Sequence, residues 1–539
     1  MQRLPKNLYL ASQVREFDRR AIEDHALPGY TLMTRAGEAV FAVIRERWPA
    51  AGTLAIVCGA GNNAGDGLVV ARLALAANLS VRLLTLRPVD RLGGDAAKAW
   101  RDFKAAGGEA VEFSESLLAG ADIIVDGILG TGLDRPVGGA FAQAIAAINE
   151  QGKPVLALDI PSGLSADTGL PMGAAIKAAA TVSFVALKAG LFLGPGPGFC
   201  GEIFFAGLDV PDVVYDRADP VAELLQEDEI PELLPPRAKT AHKGDFGHVL
   251  IVGGGPGMPG AACLAGEAAL RSGAGLVTVA THPGHLDFFA SRPELMCRGI
   301  DEPGQLAPLM EKADVIALGP GLGQDDWARP LWEAVIAVDC PLVVDADGLN
   351  WLAKFPARRN DWILTPHPGE AARLLDTESK AIQEDRLAAV LSLQEKCGGV
   401  AVLKGAGTLI NDGHGLPALC RFGNPGMAGP GMGDVLTGLI AGLLAQTRDV
   451  ASSEAMTHDS DKVLIGIGEA RSKRHEHRRS KRSGRSEQMQ GILDPATFFM
   501  ILGSDDCEWE VEIGPRMYLR GFRAPSWFFR LAQRCVLGF

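Results

Sequence analysis

The sequence lacks most of the marks that would place a chain outside the ordinary globular class. Its nine cysteines fall singly along 539 residues, with no CxxC pair and no zinc-type spacing to histidine. That excludes a disulfide framework and the common zinc ligand patterns, and the cysteines read as small buried apolar residues in a reducing compartment. There is no excess of basic charge: the formal net charge is −13. With no overall field to recruit a phosphate backbone, a general nucleic-acid binder is excluded. No apolar run has the length of a membrane span, and the opening MQRLPKNLYLASQVREFDRR has no signal-peptide core. A cytoplasmic protein with no membrane partner is expected. GxxxxGK[ST] is also missing, so nothing points to a P-loop.

Glycine, by contrast, is abundant: 66 residues, set in short clusters rather than in a repeating tract. Such clusters mark tight turns beside strands and helix starts. With 47 % hydrophobic and 22 % charged residues, the chain has an ordinary soluble composition, and its length calls for two or more domains. The first half alternates helical patterns, beginning with Ser12 to His25 and Thr34 to Trp48, with short apolar runs at Thr53–Cys58, Val81–Thr85, Ile123–Val125, Val155–Asp159 and Thr181–Ala186. Alternation stops in a proline-bearing, partly acidic segment from about Pro211 to Lys239. It restarts at His248–Val252, Leu276–Ala280, Val315–Leu318, Leu342–Asp345, Trp362–Thr365 and Val400–Leu403. Short buried strands separated by amphipathic helices predict an α/β protein of two doubly wound domains. The two halves carry different motifs and are not a tandem repeat.

In the first half, strand Leu54–Cys58 runs into GAGNNAGDG. Taken alone, such a turn is either a phosphate cradle at a helix N-terminus or a tight βα turn capped by Asn. Two further strands end in aspartate, Asp126 before GILGTGLDRPVGG and Asp159 before Ile160-Pro161-Ser162-Gly163. Ligands gather at the carboxyl ends of strands in an open parallel sheet. Asn63, Asp126 and Ser162 offer hard oxygen atoms to an alkali or alkaline-earth ion, and Asp159 is the acid/base candidate; taken singly, each aspartate reads as a helix cap before it reads as a catalytic group.

In the second half, glycine loops follow strands at GGGPGMPGAA, at Gly319 to Gly323, at TPHPGE and at KGAGT, and the series closes with NPGMAGPGMGD, Asn424 to Asp434. Phosphoryl transfer needs donors for developing charge and an orienting base. Gly429, Gly431 and Gly433 allow backbone amides to gather at a helix start, and the helix is predicted to start at this glycine run and extend through Gly433 to Leu444. Asp434, in the first turn, is placed to take a proton from an attacking hydroxyl; it also suits simple first-turn charge placement. Lys404 and Thr408 are placed to meet nucleotide phosphates. His367 reads either as a ligand contact or as a structural residue in a Pro-bounded turn.

NNAGDG, DGILGTG and DIPSGL, over roughly residues 8 to 215, resemble the epimerase domain that acts on hydrated nicotinamide cofactors, NAD(P)HX. That resemblance implies a Rossmann-like fold, potassium at Asn63, Asp126 and Ser162, and catalysis by Asp159. It also implies that Asn62, Asn63, Ala64, Gly65, Asp66, Gly130, Thr131, Gly132, Leu133, Asp134, Arg135, Pro136 and Asp159 hold the substrate. TPHPGE, KGAGT and NPGMAGPGMGDVLTG, over about residues 235 to 446, resemble the ADP-dependent NAD(P)HX dehydratase domain of the ribokinase-like superfamily. Here the resemblance implies nucleotide contacts at Lys404, Gly405, Ala406, Gly407, Thr408 and Gly433, and hydrated-cofactor contacts at Ala262, Gly323, His367 and Asp434, with Asp434 catalytic. It further implies phosphorylation of the ring hydroxyl and loss of phosphate, with magnesium accompanying the nucleotide.

Together these give an epimerase domain at 1–215, a linker at 216–238 and a dehydratase domain at 239–447. The expected activity is epimerisation of R- and S-NAD(P)HX followed by ADP-dependent dehydration to NAD(P)H, AMP and phosphate. Expected partners are NADHX or NADPHX, ADP, and further copies of the chain in a homo-oligomer, without nucleic acid. The alternatives are a vitamin or sugar kinase of the ribokinase-like group and an inactive nucleotide-binding scaffold. Residues 448–539 depart from the family pattern, with RSKRHEHRRSKRSGR from Arg471 to Arg485 and an end bearing Trp509, Trp527, Phe528 and Phe529. They read as an atypical tail, disordered or frameshifted.

Overall fold

The computed structural model describes residues 3–226 and 237–447. The tail read at 448–539, and residues 227–236 of the expected linker, lie outside the described residues. Among the described residues no helix is long and apolar enough to cross a membrane.

The first half builds a seven-stranded sheet. Its order is Ala110–Glu112, Ser80–Thr85, Thr53–Cys58, Ile123–Gly127, Val155–Leu158, Ala180–Phe184, Glu202–Ala206, and every pairing is parallel. Apolar runs such as Ile123–Gly127 and Val155–Leu158 are buried along their whole length, as strands covered on both faces must be. The chain moves outward in one direction from Thr53–Cys58 through its next two strands, then returns to its other side with Ile123–Gly127. That reversal opens a crevice at the carboxyl ends of these two strands. Helix Ala11–Glu23 packs by Val14, Phe17 and Ala21, a helical spacing, and Phe17 meets Tyr9 and Tyr215 edge-on at centroid distances of 4.9 and 5.0 Å.

The second half builds a larger sheet of twelve strands. Seven of them are parallel: Met296–Gly299, Leu276–Thr281, His248–Val252, Val315–Leu318, Leu342–Val344, Trp362–Leu364 and Val400–Leu403. The direction reverses between His248–Val252 and Val315–Leu318, giving a second crevice. Beyond Val400–Leu403 come the antiparallel strands Thr408–Asn411 and Ala418–Cys420.

Three strands of the first half extend this sheet. Ala222–Leu224 pairs with Ala418–Cys420, Asn7–Tyr9 pairs with Ala222–Leu224, and Leu187–Lys188 pairs with Asn7–Tyr9. Part of the segment expected as linker is therefore a strand, because Ala222 and Leu224 point into the core at full burial while Glu223 points outward. One hydrophobic core runs across the join, holding Leu4, Leu8, Leu187 and Leu224 together with Leu250 and Leu419.

Helix Met432–Thr447 crosses helix Pro259–Ser272 closely enough to exclude side chains at the contact. A Cβ on Gly438 would lie 1.9 Å from the Ala265 carbonyl oxygen, and one on Gly442 would lie 2.1 Å from Ser272 Oγ. Small residues set this interaxial distance and so fix where Asp434, in the first turn, sits above the sheet.

Candidate active sites

In the first crevice, Asn62 to Asp66 open helix Asn62–Ala76 directly after strand Thr53–Cys58. Gly130 to Pro136 follow strand Ile123–Gly127 as a loop, and Arg15 donates to the Thr131 carbonyl oxygen at 2.7 Å. Asn63, Asp126 and Ser162 come together. Asp126 is fully buried, and accepts from Ser162 Oγ at 2.6 Å, from Ser162 N–H at 2.8 Å and from Ile128 N–H at 3.2 Å. Asn63 Nδ2 donates to the Leu129 carbonyl oxygen at 3.0 Å, and the Leu129 N–H donates to Ser162 Oγ at 2.8 Å. All partners of Asp126 are neutral; burial pushes its carboxyl up to about 6, against the opposing pull of the Ser162 bonds.

Asp159 ends strand Val155–Leu158 with φ +66°. A non-glycine residue held left-handed costs conformational energy and is more frequent at functional sites. One of its oxygens, Oδ1, accepts from the Phe184 N–H at 3.0 Å and from Lys188 Nζ; Oδ2 takes no hydrogen bond among the described residues. Lys188 is completely buried and also donates to the Phe184 carbonyl oxygen at 2.8 Å. Two more carboxylates lie within electrostatic reach. Burial, then the charges of Asp159 and Asp18, raise Asp66 well above the carboxylate range, and burial, then the charge of Asp159, raises Asp18 to about 6. The structure thus brings Asp66 near Asp159 and Asn63 against Gly130, where a Cβ would lie 3.5 Å from the Asn63 side chain. Gly132, Asp134, Arg135 and Pro136 are exposed, and no hydrogen bond joins them to Asp159.

In the second crevice the carboxyl ends of the parallel strands deliver Gly253, Gly319, Asp345, Thr365 and Lys404 to one rim. Lys404 Nζ donates to Asp345 Oδ1 at 2.6 Å, and Thr437 Oγ1 donates to Asp345 Oδ2 at 2.8 Å. Gly433 packs onto this pair: a Cβ there would lie 3.3 Å from Asp345 Oδ2 and 3.5 Å from Lys404 Nζ. His367 caps helix Pro368–Leu375, its N–H donating to Glu370 Oε2 at 2.8 Å, and Glu370 lies 3.9 Å from Lys404. Burial lowers the His367 imidazole, with the Lys404 and Arg373 charges acting in the same direction. Burial raises Glu370 to about 7 against the pull of Lys404.

Asp434 takes no hydrogen bond among the described residues. Burial lifts its carboxyl to about 6, with Asp345 and Asp347 raising it further and Lys404 opposing. The Gly323 N–H donates to Asp347 Oδ2 at 2.9 Å, which ties that glycine loop to the same acidic rim. Ala262 is fully buried in helix Pro259–Ser272, where its Cβ lies 3.0 Å from the place a Cβ on Gly254 would take.

Sequence reasoning passed over Lys188, Asp18, Asp345, Glu370 and Thr437. Asp345 carried a usable signal, since it ends a parallel strand as Asp159 does. Lys188 carried none, standing in an apolar stretch as half of a two-residue strand.

Two crevices at the carboxyl ends of doubly wound sheets, one around an unpaired aspartate oxygen and one below a glycine-opened helix, define a two-site α/β enzyme with a nucleotide-type second site. Residues 249–462 match the family described as NAD(P)H-hydrate dehydratase, and residues 29–190 match the YjeF-related protein N-terminus. The first match runs past the boundary placed at 447. The chain is 47 % identical over 447 residues to the bifunctional NAD(P)H-hydrate repair enzyme Nnr of Coxiella burnetii, spanning 83 % of this chain and 91 % of that one. It is 41 % identical over 444 residues to the enzyme of the same name from Escherichia coli K12, spanning 82 % and 86 %. Among solved structures, the ADP/ATP-dependent NAD(P)H-hydrate dehydratase of Bacillus subtilis co-crystallised with ATP/Mg2+ is 32 % identical, covering 46 % of this chain and 88 % of that one at a TM-score of 0.40. The chain belongs to the family of bifunctional NAD(P)H-hydrate repair enzymes.

Proposed function

We propose that the first crevice epimerises R- and S-NAD(P)HX and that the second dehydrates the S form with ADP, giving NAD(P)H, AMP and phosphate. The observation that carries the reading is Gly433 seated against the Lys404–Asp345 pair beside a half-buried, unbonded Asp434.

In the first site, Asp159 Oδ1 is fixed by Lys188 and the Phe184 N–H, and Oδ2 is left to take and return a proton as the hydroxyl-bearing ring centre opens and recloses. Burial, then the charges of Asp159 and Asp18, raise the Asp66 carboxyl well above its ordinary range and favour its neutral form beside that aspartate. The segments Asn62 to Asp66 and Gly130 to Pro136 line the approach and hold the cofactor. Potassium fits the Asn63, Asp126 and Ser162 oxygens, since a buried carboxylate bonded only by neutral donors leaves negative charge to offset. That ion would supply fixed positive charge that organises the Leu129–Gly130 turn.

In the second site, Asp434 takes the proton of the ring hydroxyl as that oxygen attacks the terminal phosphorus of ADP. AMP leaves; the C–O bond of the phosphate ester then breaks to release phosphate, the adjacent ring carbon gives up a proton to water or the departing phosphate, and the ring regains its double bond. Lys404 and the Gly405–Thr408 backbone meet the nucleotide with Gly433, while Gly323 and His367 face the hydrated cofactor and the fully buried Ala262 supports the Gly254 turn behind them. Magnesium would accompany the phosphates, since this ion is bound mainly by phosphate and water with one or two carboxylates. Among the described residues no group of three or more His, Cys, Asp or Glu side chains could hold a metal by itself.

The two halves are tested separately. Asp159→Ala is expected to abolish interconversion of the epimers, followed by chromatography, and to leave conversion of S-NADHX to NADH unchanged. Asp434→Asn is expected to do the reverse. Full dehydration by Asp434→Asn, or native-rate epimerisation by Asp159→Ala, would overturn the corresponding assignment.

A further inference from the structure

The loop Lys404 to Thr408 follows strand Val400–Leu403 and turns through Gly405 (φ +146°) and Gly407 (φ +64°). Its backbone is polarised by its partners. All five carbonyl oxygens from Leu403 to Gly407 are held. Arg386 Nη2 lies 3.1 Å from the oxygen of Leu403 and 3.3 Å from those of Lys404 and Gly407. Thr408 Oγ1 donates to the Gly405 oxygen at 3.0 Å, and the Gly194 N–H donates to the Ala406 oxygen at 3.1 Å. The amides differ. Lys404 N–H donates to Pro366 and Gly405 N–H reaches Thr408 Oγ1 at 3.3 Å, while those of Ala406 and Gly407 have no acceptor among the described residues. A turn whose carbonyl acceptors are all taken while two successive amides, of Ala406 and Gly407, stay open is a receptor for an anion.

Arg386 is an unusual group to find beneath such a turn. It is 3 % exposed, its Nε has no partner among the described residues, and its remaining contact is a 2.9 Å bond from Nη1 to Gln383 Oε1. Burial lowers the guanidinium to about 10, and no carboxylate opposes that shift. It therefore stays charged at neutral pH with only carbonyl dipoles around it, and a buried cation without a counter-charge is costly to maintain. An anion seated on the open amides would supply that charge from the other side of the turn.

We propose that Arg386 is the positioning residue of the nucleotide site: it draws the loop carbonyls to one side, leaves the Ala406 and Gly407 amides for the phosphates, and lends them its buried charge. This deepens the nucleotide assignment and rests on it. Lysine is not equivalent, because the planar guanidinium reaches Gln383 Oε1 through Nη1 and the loop carbonyl oxygens through Nη2, and a single ammonium cannot hold both ends.

The test measures dehydratase kinetics on the full chain with ADP and S-NADHX varied independently. Arg386→Lys is expected to raise KM for ADP by roughly tenfold or more while leaving kcat and KM for S-NADHX within about threefold. Gln383→Met, an exposed change that only releases Nη1, is expected to raise KM for ADP by about two- to threefold. A merely structural role would lower kcat and affect both substrates alike, and that outcome overturns the proposal. Ala406→Glu separates this failure from failure of the nucleotide reading, since it sets an exposed carboxylate beside the open amides. If Ala406→Glu leaves KM for ADP unchanged, the loop does not bind nucleotide and both ideas fall. Should it raise KM while Arg386→Lys and Gln383→Met do not, only the role of Arg386 falls.

Discussion

Asp434 shows how one residue is set between stability and use. As the acceptor of the hydroxyl proton it must be ionised, and burial together with Asp345 holds its carboxyl at about 6. The ionised fraction falls as pH drops through that value, so dehydratase kcat/KM is expected to lose about tenfold per pH unit below about 6. Replacing Asp345 by Asn removes the negative charge that raises Asp434, and the acid limb is expected to move to lower pH in a pH–rate profile. The same shift acts on folding. A carboxyl raised in the folded chain stabilises it below the ordinary carboxylate range, and that contribution is lost as pH rises through about 6. At neutral pH the ionised group is therefore a burden, and Asp434→Asn is expected to stabilise the fold by about 1–3 kcal/mol while removing activity. Thermal melts of the two proteins at neutral and mildly acidic pH check the sign, because the difference should shrink in acid.

At the scale of elements, the crossing of Pro259–Ser272 and Met432–Thr447 carries the second site. Substituting Gly438 by Ala improves intrinsic helix propensity by about 1 kcal/mol. Against that, the new Cβ would sit 1.9 Å from a helical carbonyl oxygen, and overpacking against backbone costs about 1–3 kcal/mol or more. The packing cost is expected to win: Gly438→Ala should lower the thermal midpoint and move Asp434 enough to reduce kcat. An unchanged midpoint would show that the helices part easily. These elements also show what the sequence made legible. Buried central strands such as Thr53–Cys58, His248–Val252 and Val400–Leu403 appear where their apolar runs predict them, because burial on both faces leaves an unbroken signal. Asn7–Tyr9, Leu187–Lys188 and Ala222–Leu224 went unread, since two or three residues cannot display a period. Glu202–Ala206 is half-buried throughout and lacks the contrast that marks a core strand. The loops at strand ends could be named from glycine and aspartate alone. Lys188 and Arg386 could not, because the groups each holds, the Asp159 carboxylate and the loop carbonyls after Val400–Leu403, are distant from it in sequence.

For the whole molecule, the shared sheet is the consequential feature. Leu8 is fully buried in Asn7–Tyr9 and belongs to the core that holds Leu187, Leu224, Leu250 and Leu419. It lies hundreds of residues before the second site, yet its strand is linked through Ala222–Leu224 to Ala418–Cys420, the last strand of the second half. On the same side, the Gly194 N–H from the first half holds the Ala406 carbonyl oxygen at 3.1 Å, and Gly194 stands six positions after Lys188, the partner of Asp159. The two halves are therefore expected to unfold as one cooperative unit. Truncating Leu8 to Ala removes buried methyl groups at a site flanked by rigid sheet, for which the cost is about 2–5 kcal/mol. Were the halves independent, that loss would fall on the first half alone, and dehydratase activity would survive heating as in the unmodified chain. With a common core, Leu8→Ala should lower the temperature at which both activities are lost, by the same number of degrees. Residual epimerase and dehydratase rates measured on one heated sample decide between these outcomes, and a shift confined to the epimerase would show that the shared sheet does not couple the two halves.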